Sequence, residues 1–334
     1  MRNFAMMVCC LIGVFVGFVD TAFAQSPIFA PDSPWANYGF VPDDYDTKID
    51  AELGFISLYR SKPDSNPFVF APPSTTLLNM DQLAGSGGTG VDGLLTIKRI
   101  AGNSHPIDLQ TRFFESRGMT SLRILESSPA VVPVFYSGIP ADPSQNYFVD
   151  YETDIQSAEL NLRTNVFSKL HFVAGIRYFE LAERFDIIET LVSTPEERFG
   201  FFSSNENDAI GGQIGLEGIL LSRSFGKITG GVKWAYLSNS VEGEASATDI
   251  LTGNPLITNL NDTETTHLID VQLGATLSIT HWLGLYAGYQ GLFGSDFALA
   301  PTQSRFSRLV LPTNPVVFES THWHGYRLGV SLTW

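Results

Sequence analysis

Four things are scarce in this chain of 334 residues. Cysteine is the first: there are 2, Cys9 and Cys10, both near the N-terminus. Past them the chain has no thiol for a disulfide, a thiolate nucleophile or a Cys metal site. Charge is the second: Asp, Glu, Lys and Arg make up 16% of residues, where about 25% is usual. Cations are scarcer still, 20 Lys and Arg against 35 acids for a net charge of −15. That shortage argues against a nucleic-acid partner, which needs clustered Lys and Arg. The fourth is the long apolar run. After residue 24 none approaches the roughly 20 residues of a spanning helix, which excludes a helical membrane bundle.

What the chain does have is aromatic and small. Phe, Trp and Tyr reach 12%, with 25 Phe, 30 Gly and 18 Pro. A disordered chain would be poor in aromatics and rich in charge. The start reads as an export leader over residues 1–24. Arg2 precedes an apolar stretch from Phe4 to Val19, and Ala22-Phe23-Ala24 supplies a cleavage triplet. The next segment, 25–48, is expected to lie in the periplasm, and 49–334 to form the folded body.

Within that body, helical spacing is rare and alternation common. In 268–280, Ile269, Val271, Leu273, Ala275, Leu277 and Ile279 share one face. Asp270, Gln272, Gly274, Thr276, Ser278 and Thr280 share the other. The last strand alternates Tyr326, Leu328, Val330, Leu332 and Trp334 with Arg327, Gly329, Ser331 and Thr333. Similar stretches occur at 107–113, 156–166, 169–179, 209–221, 227–236 and 283–293, with weaker ones at 49–60 and 91–100. A soluble sandwich also alternates. Here, however, the polar face is Gly-, Ser-, Thr- and Gln-rich with isolated charges, and connections alternate in length. Short turns at 167–168, 223–226 and 281–282 oppose long segments at 61–90, 127–147, 186–205, 242–263 and 298–317. That is the layout of an all-β, closed antiparallel transmembrane barrel with short periplasmic turns and long extracellular loops. Strands at 49–60, 91–101, 107–126, 148–166, 169–186, 206–222, 227–241, 264–280, 283–297 and 318–334 total about ten, with eight to twelve open.

Closure removes the unpaired edges that lipid would punish by several kcal/mol per group. The apolar stripe then meets lipid and the polar stripe the lumen. Projected inward, the charges are Glu52, Asp108, Glu159, Glu217 and Asp270 against Lys98, Arg112, Arg163, Arg177, Lys233 and Arg327. Two readings follow: a charged constriction that biases passing solutes, or a salt-bridged plug in a small barrel filled by its own side chains. Residues 242–264 carry Glu242, Glu244, Asp249, Asp262 and Glu264 with no Lys or Arg, and read as a solvated acidic loop. Tyr178, Trp234, Tyr236, Trp282, Tyr289, Trp323, Tyr326 and Trp334 are candidate interfacial anchors. His322 and His324 have a spacing that could hold a metal, but their face is that of the aromatic girdle. No metal, cofactor, phosphate loop or hydrolase constellation is expected.

The ending, with Arg327, Gly329, Leu332 and Trp334, resembles the terminal insertion signal of outer-membrane proteins. That resemblance implies the barrel assembly machinery as a folding partner, with outer-membrane lipid around the barrel. Leu332 stands where an aromatic is common. The chain also resembles the beta-barrel porin-7 family of planctomycete-type outer-membrane barrels. The likeness lies in Ser157-Ala158-Glu159-Leu160-Asn161-Leu162-Arg163, Ala174-Gly175-Ile176-Arg177-Tyr178-Phe179, Gly211-Gly212-Gln213-Ile214-Gly215-Leu216 and Leu285-Tyr286-Ala287-Gly288-Tyr289. It implies a porin in the cell outer membrane and carries no assigned substrate; with the charged inner face, the expected function is passive, porin-like passage of small polar solutes through a narrow charged lumen. The alternative is a non-conducting structural or adhesive barrel that acts through its extracellular loops.

Overall fold

The computed structural model describes residues 49–60, 67–71, 75–79, 86–101, 106–126, 132–133, 145–167, 169–191, 197–249, 254–303 and 316–334. The expected segments 1–24 and 25–48 lie outside them. In chain order the elements are β1 (Ile49–Arg60), β2 (Pro67–Ala71), β3 (Thr75–Asn79), β4 (Gly88–Ala101), β5 (Ile107–Glu126), β6 (Val132–Pro133) and β7 (Gln145–Phe167). They continue with β8 (Leu170–Leu191), β9 (Glu197–Arg223), β10 (Gly226–Asp249), β11 (Asn254–Ser278), β12 (Leu283–Ala298), the single-turn α1 (Ala300–Gln303) and β13 (Phe318–Thr333).

Ten strands close into an antiparallel barrel in the order β1-β13-β12-β11-β10-β9-β8-β7-β5-β4. The seam between first and last strands runs from Asp50↔Thr333 to Arg60↔Trp323. At its base Ile49 N donates to Trp334 O at 3.0 Å and Trp334 N to Ile49 O at 3.1 Å. β2, β3 and β6 pair separately in a small sheet, within the expected long loops 61–90 and 127–147.

Period-two alternation sorts the two faces. Phe55, Ile176, Leu273, Tyr289, Leu328 and Val330 lie exposed on the outside. Exposed apolar side chains in such a continuous band mark a surface built for a nonpolar surrounding. One bulge changes the parity. Between Ser116 and Met119 the β5 register against β7 slips, and Gly118 takes a φ of 72°. Inward positions are Asp108, Gln110, Arg112, Phe114 and Ser116 below it, then Met119 and Ser121.

Several strands run past the expected ends. β9 has 27 residues, β10 has 24 and β11 has 25. Much of the expected loops 186–205 and 242–263 is therefore hairpin. Glu242 and Glu244 stand on β10, and Asp262 and Glu264 on β11. The physical reason is pairing: the β10–β11 ladder is unbroken from Gly226↔Leu277 to Asp249↔Asn254, and it needs no apolar stripe where no lipid touches it.

Candidate functional site: the filled lumen

The interior is best built from the short-turn end upward. At the base Lys98 Nζ meets Asp50 Oδ2 at 2.9 Å, both side chains partly buried. Above it Arg163 donates through Nη2 to Asp108 Oδ2 at 2.9 Å and lies 3.8 Å from Glu217. His171 is the inward-turned one among the described histidines, and its Nδ1 has no hydrogen-bond partner.

The next layer is a belt of charge deeper in the barrel. Arg112 Nη2 lies 3.2 Å from Asp92 Oδ1, and its Nη1 lies 3.5 Å from Asp270 Oδ2. Arg177 Nη1 donates to Asp270 Oδ2 at 3.1 Å. Lys233 Nζ donates to Glu159 Oε2 at 2.9 Å and lies 3.1 Å from Glu217 Oε1. Arg327 Nε donates to Asp92 Oδ2 at 2.7 Å, and Tyr286 donates to the same oxygen at 3.0 Å. Amides fill between: Gln213 donates to Glu159 at 2.9 Å, and Arg112 donates to Gln290 at 2.7 Å. Asp92, Glu159, Asp270 and Glu217 thus face Arg112, Arg177, Lys233 and Arg327, an even match of charges. Side chains at this depth must be paired, since an isolated buried ion is very costly. The belt meets that need without added counter-ions.

A second layer lies above. Ile56, Leu58, Phe114, Phe179, Leu237, Leu268, Leu292 and Trp323 all point inward and are buried. Phe179 packs on Phe297 and Trp323, with ring centroids 5.5 and 5.9 Å apart. Phe297 arrives there because β12 bulges between Gly294 and Phe297, with Asp296 at a φ of 63°. The chain then turns into the lumen. Ala298 N donates to Asn207 Oδ1 at 2.9 Å, and Asn207 Nδ2 donates back to Ala298 O at 2.9 Å. Ala300 N donates to Glu183 Oε2 at 2.9 Å. The other Glu183 oxygen accepts from Arg60 at 2.6 Å and from Tyr151 at 2.7 Å.

All eleven charged residues projected inward from the sequence sit on the inner face. Arg112, Glu159, Arg177, Lys233, Asp270 and Arg327 meet in the belt with Glu217. Asp108 and Arg163 pair below, Lys98 pairs with Asp50, and Glu52 stands 4.0 Å from Arg327. Asp92, which accepts from Arg112, Tyr286 and Arg327, was missed, although it shares a face with Lys98 in the stretch 91–100. Arg60, Glu183 and Tyr151 were missed as well. The expectation of a polar inner face holds below and above an apolar layer: Ile56, Leu58, Phe179 and Trp323 interrupt it, and beyond them Arg60, Glu183, Asn207 and Asn239 are buried polar groups again. Trp323 is a correction: it fills the lumen and is no interfacial anchor. Its side chain has inward parity, like Arg327, whereas His322, His324 and Tyr326 face out.

Those two histidines stack on aromatics. His322 lies 5.8 Å from Phe293, and His324 lies 6.1 Å from both Tyr59 and Tyr289. Among the described residues the carboxylates close enough to share a metal are Glu180, Glu206 and Asp208 on the outer wall, all within 4.8 Å. The Tyr178 hydroxyl lies 2.5 Å from an Asp208 carboxylate oxygen and 2.9 Å from one of Glu180.

No family model and no curated protein matches the chain. Solved structures do. One is the outer-membrane protease OmpT of Escherichia coli, 8% identical, covering 87% of this chain and 99% of that one, with a TM-score of 0.44. Another is the toluene transporter TodX of P. putida, 9% identical, covering 88% and 90%, TM-score 0.32. A third is the toluene transporter TbuX of Ralstonia pickettii, 10% identical, covering 86% and 89%, TM-score 0.33. Likeness at this level transfers no site and no substrate. The architecture rests on the closed ladder of ten strands and its outward apolar band.

Proposed function

We propose that this chain is an exported outer-membrane barrel with a sealed lumen, which works through the wall and loops it raises above the membrane. The single observation that carries the reading is the double filling of the interior. Asp270 and Gln290 in the belt, and Leu58, Phe114, Phe179, Leu292 and Trp323 above it, are all at 0% exposure. No water-sized space adjoins these side chains, which supports a sealed lumen. Porin-like passage of small polar solutes was the first expectation from the sequence. It needs a lumen that these side chains occupy, so the non-conducting alternative is favoured. The reading assigns the protein no reaction.

The export leader, the insertion-signal ending and the porin-7 resemblance support the location and the assembly machinery as folding partner. They support the barrel equally in either functional reading. Strand length supports the extracellular role. A spanning strand needs roughly 10 residues, whereas β9 has 27. The surplus stands clear of lipid as a polar wall.

Planar-bilayer recording of the refolded protein tests the reading. The expected result is a baseline indistinguishable from protein-free membrane at either polarity. Reproducible unitary current steps would overturn it.

A further inference from the structure

We propose that Tyr286 is the bar that fixes the register in which the barrel closes. The inference is independent of whether the lumen conducts.

Closure joins β1 to β13, the two ends of the barrel sequence. Contacts so distant in the chain are the slowest to form. Their backbone ladder carries little register information by itself. A slip of two residues keeps every side chain on its own face and re-forms nearly all the hydrogen bonds. Something on the faces must mark the correct pairing.

The inner face carries that mark. Gly54 on β1 stands directly opposite Gly329 on β13, and Gly329 stands opposite Tyr286 on β12. The buried Tyr286 ring lies across both glycines. A Cβ on Gly329 would come within 2.7 Å of ring Cε1, and one on Gly54 within 2.6 Å of the hydroxyl oxygen. The hydroxyl then donates to Asp92 Oδ2 on β4 at 3.0 Å. One side chain therefore spans the seam, from β12 over β13 and β1 to β4. Arg327 lies over the same ring, 5.5 Å from its centroid, and also reaches Asp92. A ring lying over strand glycines in this way is a register device known from sheet physics.

A slip of two would destroy this fit. It would bring Glu52 or Ile56 opposite Gly329, and their side chains would occupy the space of the ring. The glycine pair admits the ring in one register, and the hydroxyl rewards that register with a buried hydrogen bond to a charged acceptor.

Disulfide trapping tests the proposal in a chain carrying Cys9→Ser and Cys10→Ser, which is otherwise free of cysteine. Ser57→Cys with Tyr326→Cys reports the native pairing. Ser57→Cys with Leu328→Cys, or with His324→Cys, reports a slip of two in either direction. With Tyr286 present, the native pair should cross-link and the slipped pairs should not. Tyr286→Leu should lower the ratio of native to slipped product by about tenfold, the scale of one lost buried charge-assisted hydrogen bond. Tyr286→Phe keeps the ring over the glycines and should retain a native excess. Native cross-linking in Tyr286→Leu equal to the parent would overturn the proposal. Should Tyr286→Leu yield no folded barrel, Tyr286→Phe decides: a native-to-slipped ratio below the parent's supports the proposal, and a ratio equal to the parent's overturns it.

Discussion

Asp92 shows how much of this interior hangs on single atoms. Its two oxygens accept from Arg112, Tyr286 and Arg327, and it is buried. Asp92→Asn keeps the shape but leaves cations facing a neutral amide. Breaking one partner of a buried ion network costs about 3–5 kcal/mol. We expect that loss in urea unfolding of the refolded barrel. Arg184 and Asp186 make a comparable contact on the outside, with Arg184 well exposed. Arg184→Ala should cost at most about 1 kcal/mol, because water and ions screen such a pair. Equal losses for both variants would show that the belt is hydrated and not a dry seal. At this scale the sequence was legible wherever alternation was clean. Glu159 and Asp270 were readable as inward residues because their neighbours at i±1 are apolar. Asp92 was obscured because Gly93 follows it and gives no outward apolar signal.

At the scale of elements, β10 and β11 separate what lipid dictates from what pairing dictates. Low on both strands the outer face is apolar: Ile228, Val232, Trp234, Ile269, Val271 and Leu273 are exposed there. Higher up the outward positions become Ser238, Ser240, Glu242 and Glu244, yet the ladder continues. Cysteines placed along β10 and β11 should therefore divide sharply on intact cells treated with a membrane-impermeant maleimide. Ser240→Cys and Glu244→Cys should label, and Val232→Cys and Leu273→Cys should not. Labelling of Leu273→Cys to the level of Glu244→Cys would refute the outward apolar band as a lipid surface. This division also explains why strand lengths were misjudged. A strand wetted on its outer face loses the polar–apolar contrast, and the sequence then resembles a loop. The apolar layer of the interior was hidden for a related reason. Around Phe113-Phe114 and Tyr178-Phe179-Glu180-Leu181 both faces carry bulky apolar or aromatic groups, so period two fades just where the lumen turns from polar to apolar.

For the whole molecule, the two fillings act in series, and that order has a consequence. Permeation requires passing the apolar layer around Phe297 and Trp323 and then the charged belt around Arg177 and Asp270. Opening either layer alone leaves the other closed. Phe297→Ala combined with Trp323→Ala removes the largest upper side chains, at a cost of about 3–5 kcal/mol each. A barrel so weakened should still record as silent. The belt is opened by removing partners together, which avoids an orphaned charge: Glu159→Ser with Lys233→Ser, and Arg177→Ser with Asp270→Ser. That variant too should be silent, since Phe179 and Trp323 still close the upper lumen. Discrete current steps are expected when both sets are combined. Current from the upper pair alone would mean that the belt admits ions and water. The charged constriction first read from the sequence would then be the protein's working part.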